Sequence, residues 1–389
     1  MNSWVGREFE VEVGPVAHGG HCVARHEGRV VFVRHTLPGE RVLVSVTEDR
    51  GGSFCRGDAI SVLTASPDRV PAPCPVAVPG GCGGCDWQHA SWAAQRALKA
   101  SVVAEQLRRL AGLSVPVEVE ELPGGPLRWR TRVRMTVDPE GRPGFRAHRS
   151  HRVVPVADCP ISAYGTVDEV AGRSWPPGAS LTVAVDAQAS THVSVDDAVG
   201  DVAVERAARR EWRVSSDGFW QAHPDAADVY AEVVSSWAGL GAGESAWDLY
   251  AGVGLFASVL AEAVGPSGSV MAVESFRPAA QEAAANLADL PQVRVFAGKV
   301  ESVLRAGEGP DPDVVVLDPP RKGAGREVVE AIASRGARRV VYVACDPAAL
   351  ARDVATFAGH GYTLSRLRAF DAFPMTHHVE CVALLTSAS

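Results

Sequence analysis

No stretch of this 389-residue sequence approaches the ~18 uninterrupted apolar residues that a membrane span requires. The opening MNSWVGREFEVEV carries acids and no apolar core of the kind an export signal needs. Positive charge is not in excess either, since 38 Lys and Arg stand against 46 Asp and Glu for a formal net charge of −8. That balance argues against a protein that coats nucleic acid wholesale. It leaves room for local basic faces, because a phosphate backbone senses charge within a screening length of about 8–10 Å. Internal repeats and low-complexity tracts are missing as well. The expectation is a soluble, cytoplasmic, unexported protein, and at roughly 100–200 residues per domain the chain should hold two or three domains. Cysteine is sparse, with eight residues at 22, 55, 74, 82, 85, 159, 345 and 381. In a reducing compartment this spacing points to metal binding or catalysis more than to disulfides.

Residues 1–66 alternate apolar and polar positions in short segments punctuated by Gly and Pro, the pattern of a small β-barrel. From 67 to 92 the chain turns to Pro, Gly and Cys, a loop that needs something besides a core to hold it. Helical spacing over 93–111 and a further β-rich stretch over 115–205 follow. Beyond "RREWRVSSDGFWQAHPDAADVYAEVVSSWAG" strands alternate with helices: SAWDLYAG, SVMAVE, VRVFAG, DVVVLDPP, RVVYVACDP, YTLSRLRAFDAF and HVECVALLT. Such alternation predicts an α/β doubly wound parallel sheet. Only the last pair, joined by the short PMTHH, must be antiparallel. Three units are expected, at 1–66, 67–210 and 211–389.

Ligands of open α/β sheets sit beyond the carboxyl ends of the strands. The first strand of the C-terminal sheet ends in DLYAGVGLFA, where Gly252 and Gly254 let backbone approach a ligand. Glu274 closes the second strand, twenty residues after Gly254, where a carboxylate can accept hydrogen bonds from ribose hydroxyls. Nicotinamide and S-adenosylmethionine enzymes share this arrangement. The fourth strand separates them: Asp318-Pro319-Pro320-Arg321 stiffens the loop past the strand and holds a carboxylate toward the cleft. A similar stretch occurs in enzymes that methylate exocyclic amines of bases, but those usually have an aromatic residue after the prolines, and Arg321 stands here instead.

Cys345 ends the fifth strand on the same edge, and Asp346-Pro347 reads as the N-cap and first residue of a helix. A thiol ahead of a helix N-terminus is expected to have its pKa lowered from ~8.5 toward neutrality. Glu380, at the start of the last strand, is the proton-handling partner on that edge, while alternation turns Cys381 away. Carbon 5 of uracil is a poor nucleophile until something adds to carbon 6. A thiolate adding there, with a base to remove the carbon 5 proton, suits methylation of that carbon, provided the base is out of any stack.

The stretches DLYAGVGLF, DPPRKG, ACDPAALARD and FPMTHHVE, taken together, resemble the uracil-5 RNA methyltransferase family over nearly the whole chain. The resemblance implies a C-terminal Rossmann-like class I methyltransferase sheet, an N-terminal TRAM barrel (OB-like) and a central β-rich RNA-binding domain. It implies Cys345 as nucleophile and Glu380 as proton acceptor. GFWQAH resembles the family's Phe-x-Gln element, placing Gln221 beside S-adenosylmethionine with Tyr250, Glu274 and Asp318, and Phe219 near the target base. Leu255 and His223 replace residues that are commonly Asn in the family. In the TRAM-like barrel Arg25, Arg29, Arg34 and Arg41 are candidates for phosphate contact.

Cys74, Cys82, Cys85 and Cys159 form a set of four candidate ligands for a [4Fe–4S] cluster or tetrahedral zinc. One tight pair, one looser and one remote cysteine suit the cluster better, and the resemblance favours it, although the first two are separated here by seven residues rather than the family's usual five. In LRWRTRVRM, Arg128, Arg130, Arg132 and Arg134 recur with period two, so on a strand they share one face. Eight arginines against two acids over 128–152 point to phosphate contact. The expected partner is structured RNA, with 23S rRNA favoured over tRNA by resemblance to the large-subunit branch, and a monomer is the simplest assembly. Cytosine-5 methylation is the nearest rival chemistry. A non-catalytic, cluster-containing RNA-binding protein is the rival of another class.

Overall fold

A computed structural model describes residues 3–387 except 197 and 199. Its N-terminal strands Glu8–Glu12, Cys22–His26, Arg29–Arg34, Arg41–Glu48 and Phe54–Thr64 form one five-stranded sheet in the order first, fourth, fifth, third, second. Alternation drives it: Val42, Val44 and Val46 point inward with Val31 and Val33 onto a single core that also takes Trp87 and Val102. Arg29 and Arg34 turn inward too. Arg29 is buried against Asp49 at 2.7 Å and Arg34 approaches Asp86 at 3.9 Å, so of the four barrel arginines Arg25 and Arg41 keep an exposed position.

The segment expected as one central unit at 67–210 is divided. Its antiparallel sheet, ordered Thr191–Val195, Ser180–Val185, Arg132–Val137, Pro143–Arg146 and Val153–Pro155, has its own small core around Met135, Leu181 and Val183. The helix Trp92–Gln106, its π-helical continuation Leu107–Ala111 and the strand Val119–Glu121 pack instead on the C-terminal sheet. Helical spacing alone could not show this: Val103 and Leu107 enter the core of that sheet, and a buried ion pair joins the two. Lys99, without solvent exposure, reaches Asp371 at 2.5 Å, and Trp92 Nε1 donates to the same carboxylate at 2.8 Å.

The C-terminal sheet has eight strands in the order Val293–Ala297, Ser269–Glu274, Ser245–Leu249, Val314–Leu317, Arg339–Ala344, Glu380–Ser387, Tyr362–Asp371 and Val119–Glu121. All seven expected C-terminal strands are present, and helices flank both faces, burying the continuous apolar runs of a parallel sheet. The last strand is antiparallel as expected. It does not sit at the edge, however, but enters between Arg339–Ala344 and Tyr362–Asp371, antiparallel to both. That insertion sets the site. Among the described residues no helix is long and apolar enough to cross a membrane.

Candidate active site

Cys345 is the first residue past its strand, and Ala344 pairs with Cys381 across the ladder. One step further along the same register sets Cys345 against Glu380. Val316 to Leu317 lie on the other side of the Cys345 strand, paired with Val341 to Tyr342, and Asp318 follows them at the same edge. Thus a thiol and two carboxyl groups come together from three neighbouring strands. Cys381 faces the opposite way into the core with no exposure.

Burial dominates the electrostatics. Glu380 is 4% exposed, and burial, with Asp318 nearby, raises its pKa well above the carboxylate range. Burial pushes Asp318 up to about 7. The Cys345 thiol is pushed up to about 12, first by burial and then by Glu380 and Asp318, with Arg321 acting against them. This corrects the expectation of a thiol activated by a helix N-terminus. Asp346 already occupies that end: it accepts the Ala349 N–H at 2.8 Å as the N-cap of Pro347–Ala358. The positive end is spent on a carboxylate one residue away, and the thiol rests protonated.

A cavity of 210 Å³ opens on Cys345, walled by Arg321, Pro347, His378 and, from the N-terminal barrel, His18. The Arg321 guanidinium lies 3.3 Å from His378 Nε2. Burial, His377 and Arg321 lower the His378 pKa to about 3, so this imidazole is neutral.

On the other side of the sheet edge, the two glycines of the first loop do different things. A Cβ on Gly254 would lie 2.6 Å from Leu287, so that glycine serves helix packing, whereas Gly252 has open space above its Cα. Glu274 ties the loop down by accepting the Gly252 N–H at 3.0 Å and the Phe276 N–H at 2.6 Å. Buried Asp248 Oδ1 and Tyr250 Oη have no partner among the described residues. Burial raises Asp248 to about 7. Phe276, 60% exposed beside Glu274, escaped sequence reasoning; the available signal was an aromatic two residues past the acid that ends the second strand. Leu255 is buried in the core, and His223 is buried, stacked on Trp129 and accepting the Asp225 N–H at the start of the next helix.

The arginine row is a correction. The strand begins at Arg132, so only Arg132 and Arg134 share its outer face. Arg128 adopts a left-handed backbone with φ 59° and pairs with Asp158 at 2.6 Å. Arg130 turns back on the Arg132 carbonyl. Arg132 is half-buried, bonded to Glu205 at 2.8 Å and to the carbonyls of Ser216 at 3.1 Å and Gly218 at 3.0 Å. It thereby clamps the turn that presents Phe219, which is 72% exposed, and Gln221, which is buried. Arg134 stays on the surface beside Ser180.

Cys74, Cys82, Cys85 and Cys159 do line one small cavity with Phe145 and Ile161. Among the described residues, however, no group of three or more His, Cys, Asp or Glu side chains stands ready to hold a metal ion. Burial raises the pKa of Cys74, Cys82 and Cys85.

A family profile described as the TRAM domain matches residues 2–60, and one described as tRNA (Uracil-5-)-methyltransferase matches residues 311–388. The chain is 48% identical to an "uncharacterized RNA methyltransferase" of Streptomyces coelicolor, covering 100% of this chain and 94% of that one. It is 39% identical to another so named from Corynebacterium efficiens, covering 99% and 96%. The crystal structure of a Pyrococcus abyssi tRNA (uracil-54, C5)-methyltransferase with S-adenosyl-L-homocysteine superposes with a TM-score of 0.71 at 21% identity, covering 96% of this chain and 99% of that one, a likeness of fold.

Proposed function

Because the chain belongs to the RNA methyltransferase family whose uracil-5 signature it carries at 311–388, we propose that it transfers a methyl group to carbon 5 of a uridine in RNA through a covalent bond from Cys345 to carbon 6. The observation that carries this reading is the register that sets Cys345 against Glu380 on neighbouring strands, with Cys345 lining a cavity and Glu380 buried behind it.

The Cys345 thiol gives its proton to solvent in the cavity as the sulfur adds to carbon 6, and the electron pair moves toward carbon 5 and the carbon 4 oxygen. S-adenosylmethionine, when bound, supplies an electrophilic methyl group. The hydrogen then remaining on carbon 5 is removed by Glu380, and the electron pair left behind expels the Cys345 sulfur. Glu380 accepts that proton in its ionised form, and a carboxylate whose pKa is raised by burial is then a stronger base than a solvated one, which is what removal of a carbon-bound proton requires. The residues present fit S-adenosylmethionine. Gly252 is open to close approach, Tyr250 and Asp248 hold unpartnered buried oxygens, Glu274 offers a carboxylate, and Phe276 an exposed ring for an adenine face. Gln221 and Asp318 would complete that set.

For RNA, Phe219 is proposed to pack near the extruded base, and Arg134 with the TRAM barrel to meet phosphate. The four cysteines fit a soft metal group by donor chemistry, all thiols lining one cavity. Cys74, Cys82, Cys85 and Cys159 would hold a [4Fe–4S] cluster, or zinc as second choice, by drawing together around it, with a structural role for the loop 67–91. Absorbance near ~400 nm in anaerobically prepared protein tests the cluster. The favoured target is 23S rRNA, and mapping 5-methyluridine in rRNA and tRNA from cells with and without the gene decides between the two.

The chemistry is tested with RNA carrying 5-fluorouridine. Fluorine cannot leave as the proton does, so the wild-type protein with methyl donor should become covalently bonded to RNA. Cys345→Ala should form no adduct, and Glu380→Gln should accumulate one on ordinary RNA. A wild-type protein that methylates RNA without any adduct would sink the covalent route.

A further inference from the structure

The cavity at Cys345 is not built by the methyltransferase sheet alone. Its walls come from six stretches of chain: the barrel loop at His18 to Gly20, Trp87 just past Cys85, Val102, Arg321, and the two segments that carry Cys345 and His378. Nothing in the sequence links residue 18 to residue 346, yet His18 Nε2 lies 3.1 Å from Asp346 Oδ2. The other oxygen of Asp346 caps the helix through the Ala349 N–H. A capping aspartate needs one oxygen for the cap; here the second is held by another domain. The contact raises the His18 pKa.

The loop that brings His18 there is locked. Gly19 and Gly20 take φ of +95° and +82° in succession, a path that side chains disfavour. Gly20 packs so closely on His377 that a Cβ would lie 2.7 Å from the His377 Cβ. The Gly20 carbonyl accepts the Trp87 indole N–H at 3.0 Å, and His377 is itself held by Asp86 at 2.7 Å. Three separate segments therefore fix the barrel loop against the cavity.

We infer that the N-terminal barrel completes the reaction pocket, its loop 15–22 forming one wall and His18 acting as a positioning residue that, through Asp346, fixes the turn carrying Cys345. The barrel then does more than hold RNA. The sulfur must meet carbon 6 within a fraction of an ångström, and the peptide between Cys345 and Asp346 moves when Asp346 is released. This inference rests on the reading of Cys345 as the nucleophile.

The His18 side chain is 39% exposed and Asp346 21%, so the contact contributes little to stability and a variant should fold. The test compares wild type, His18→Ala, His18→Gln and Gly20→Ala in single-turnover methylation and in adduct formation, with transcribed 23S rRNA and tRNA carrying uridine or 5-fluorouridine. The thermal midpoint of each variant is measured alongside. His18→Ala should lower the rate at saturating RNA on the order of 10-fold while KM for RNA changes by less than about 2-fold. His18→Gln, which can still donate to Asp346, should recover most of the rate. Gly20→Ala, which pushes the loop off His377 without removing charge, should slow the reaction as His18→Ala does. A rise in KM with the saturated rate intact would make the loop an RNA contact only and overturn the inference, as would no change in either. Absence of adduct in the wild type would instead count against the covalent reading and leave the wall to be judged by methylation rates alone.

Discussion

Replacing Arg132 with Met separates two jobs that the sequence alone assigns to one side chain. If Arg132 meets phosphate, its loss should weaken RNA binding and reduce the salt dependence of that binding, by a slope of about 0.9 per lost contact on duplex and about 0.7 on single strands. The structure gives it another task. Its guanidinium is buried against Glu205 at 2.8 Å and holds the carbonyls of Ser216 and Gly218 at 3.1 and 3.0 Å. Breaking a buried ion pair from one side costs about 3–5 kcal/mol, since the remaining charge stays desolvated. Burial already raises the pKa of Glu205 despite Arg132, so the abandoned carboxyl can take a proton and the cost should fall at the low end, about 3 kcal/mol. Arg132→Met with Glu205→Leu removes both charges and leaves only the carbonyls short of donors, so about 1 kcal/mol should remain. Urea denaturation at fixed pH reads both, through a shift in midpoint at constant slope. RNA titrations from low to moderate salt should give an unchanged slope, while S-adenosylmethionine affinity falls because the turn before Gln221 loosens. A variant within about 0.5 kcal/mol of wild type whose salt slope drops by nearly one contact would refute the clamp.

Lys99→Met should destabilise by about 3–5 kcal/mol, because Asp371 stays buried beside Trp92 alone, and Lys99→Met with Asp371→Leu should recover most of it in the same urea assay. Between pH 4 and 7 two buried carboxyls pull stability down as pH rises, against the upward pull of His21, His35, His89, His148 and His378, whose pKa values burial lowers to about 3 or 4. Asp248 and Asp318 are raised from 3.8 to about 7, so at these two sites the folded state binds more protons than the unfolded chain in that window and loses the advantage on ionisation. The stability of wild type relative to Asp248→Asn should therefore fall between pH 4 and 7, and a difference that stays constant over the window would contradict the burial assigned to Asp248. Gly254→Ala, with its Cβ meeting Leu287 at 2.6 Å, should cost about 1–3 kcal/mol. Gly252→Ala, at a left-handed φ of +54°, should cost about 1–2 kcal/mol in stability and weaken S-adenosylmethionine binding measured by calorimetry.

The C-terminal sheet was legible because its strands are continuous apolar runs between helical patterns, and because PMTHH is too short to return a chain parallel to itself. That one length argument put Glu380 on the ligand edge. The arginine row was misread because period two was followed past the point where the strand starts. Trp129, which is buried, and the left-handed Arg128 stand before Arg132 and break the face. Thiol activation at Cys345 was misread because a helix N-terminus was credited to the nearest titratable group, when Asp346, one residue on, takes it by direct hydrogen bonding. The attachment of the helix Trp92–Gln106 to the C-terminal sheet was illegible for a different reason. Lys99 and Asp371 lie 272 positions apart, and neither residue type in isolation announces a buried pair.

The arrangement at Cys345 depends on register more than on any single contact. Cys345 and Glu380 belong to strands that run in opposite directions, so each residue added along one is matched by a residue back along the other. The pair Ala344 with Cys381 is what brings the thiol and the carboxyl to one edge. Side chains alternate faces, so a slip by one residue would turn Glu380 into the core and bring Cys381 to the pocket. Both outcomes carry a cost that holds the register: a carboxyl would enter the apolar layer around Tyr342 and Leu385, and the six consecutive buried residues Glu380 to Leu385 would lose their partners on both neighbouring strands. The packing that stabilises the sheet is thus also what aligns the two groups.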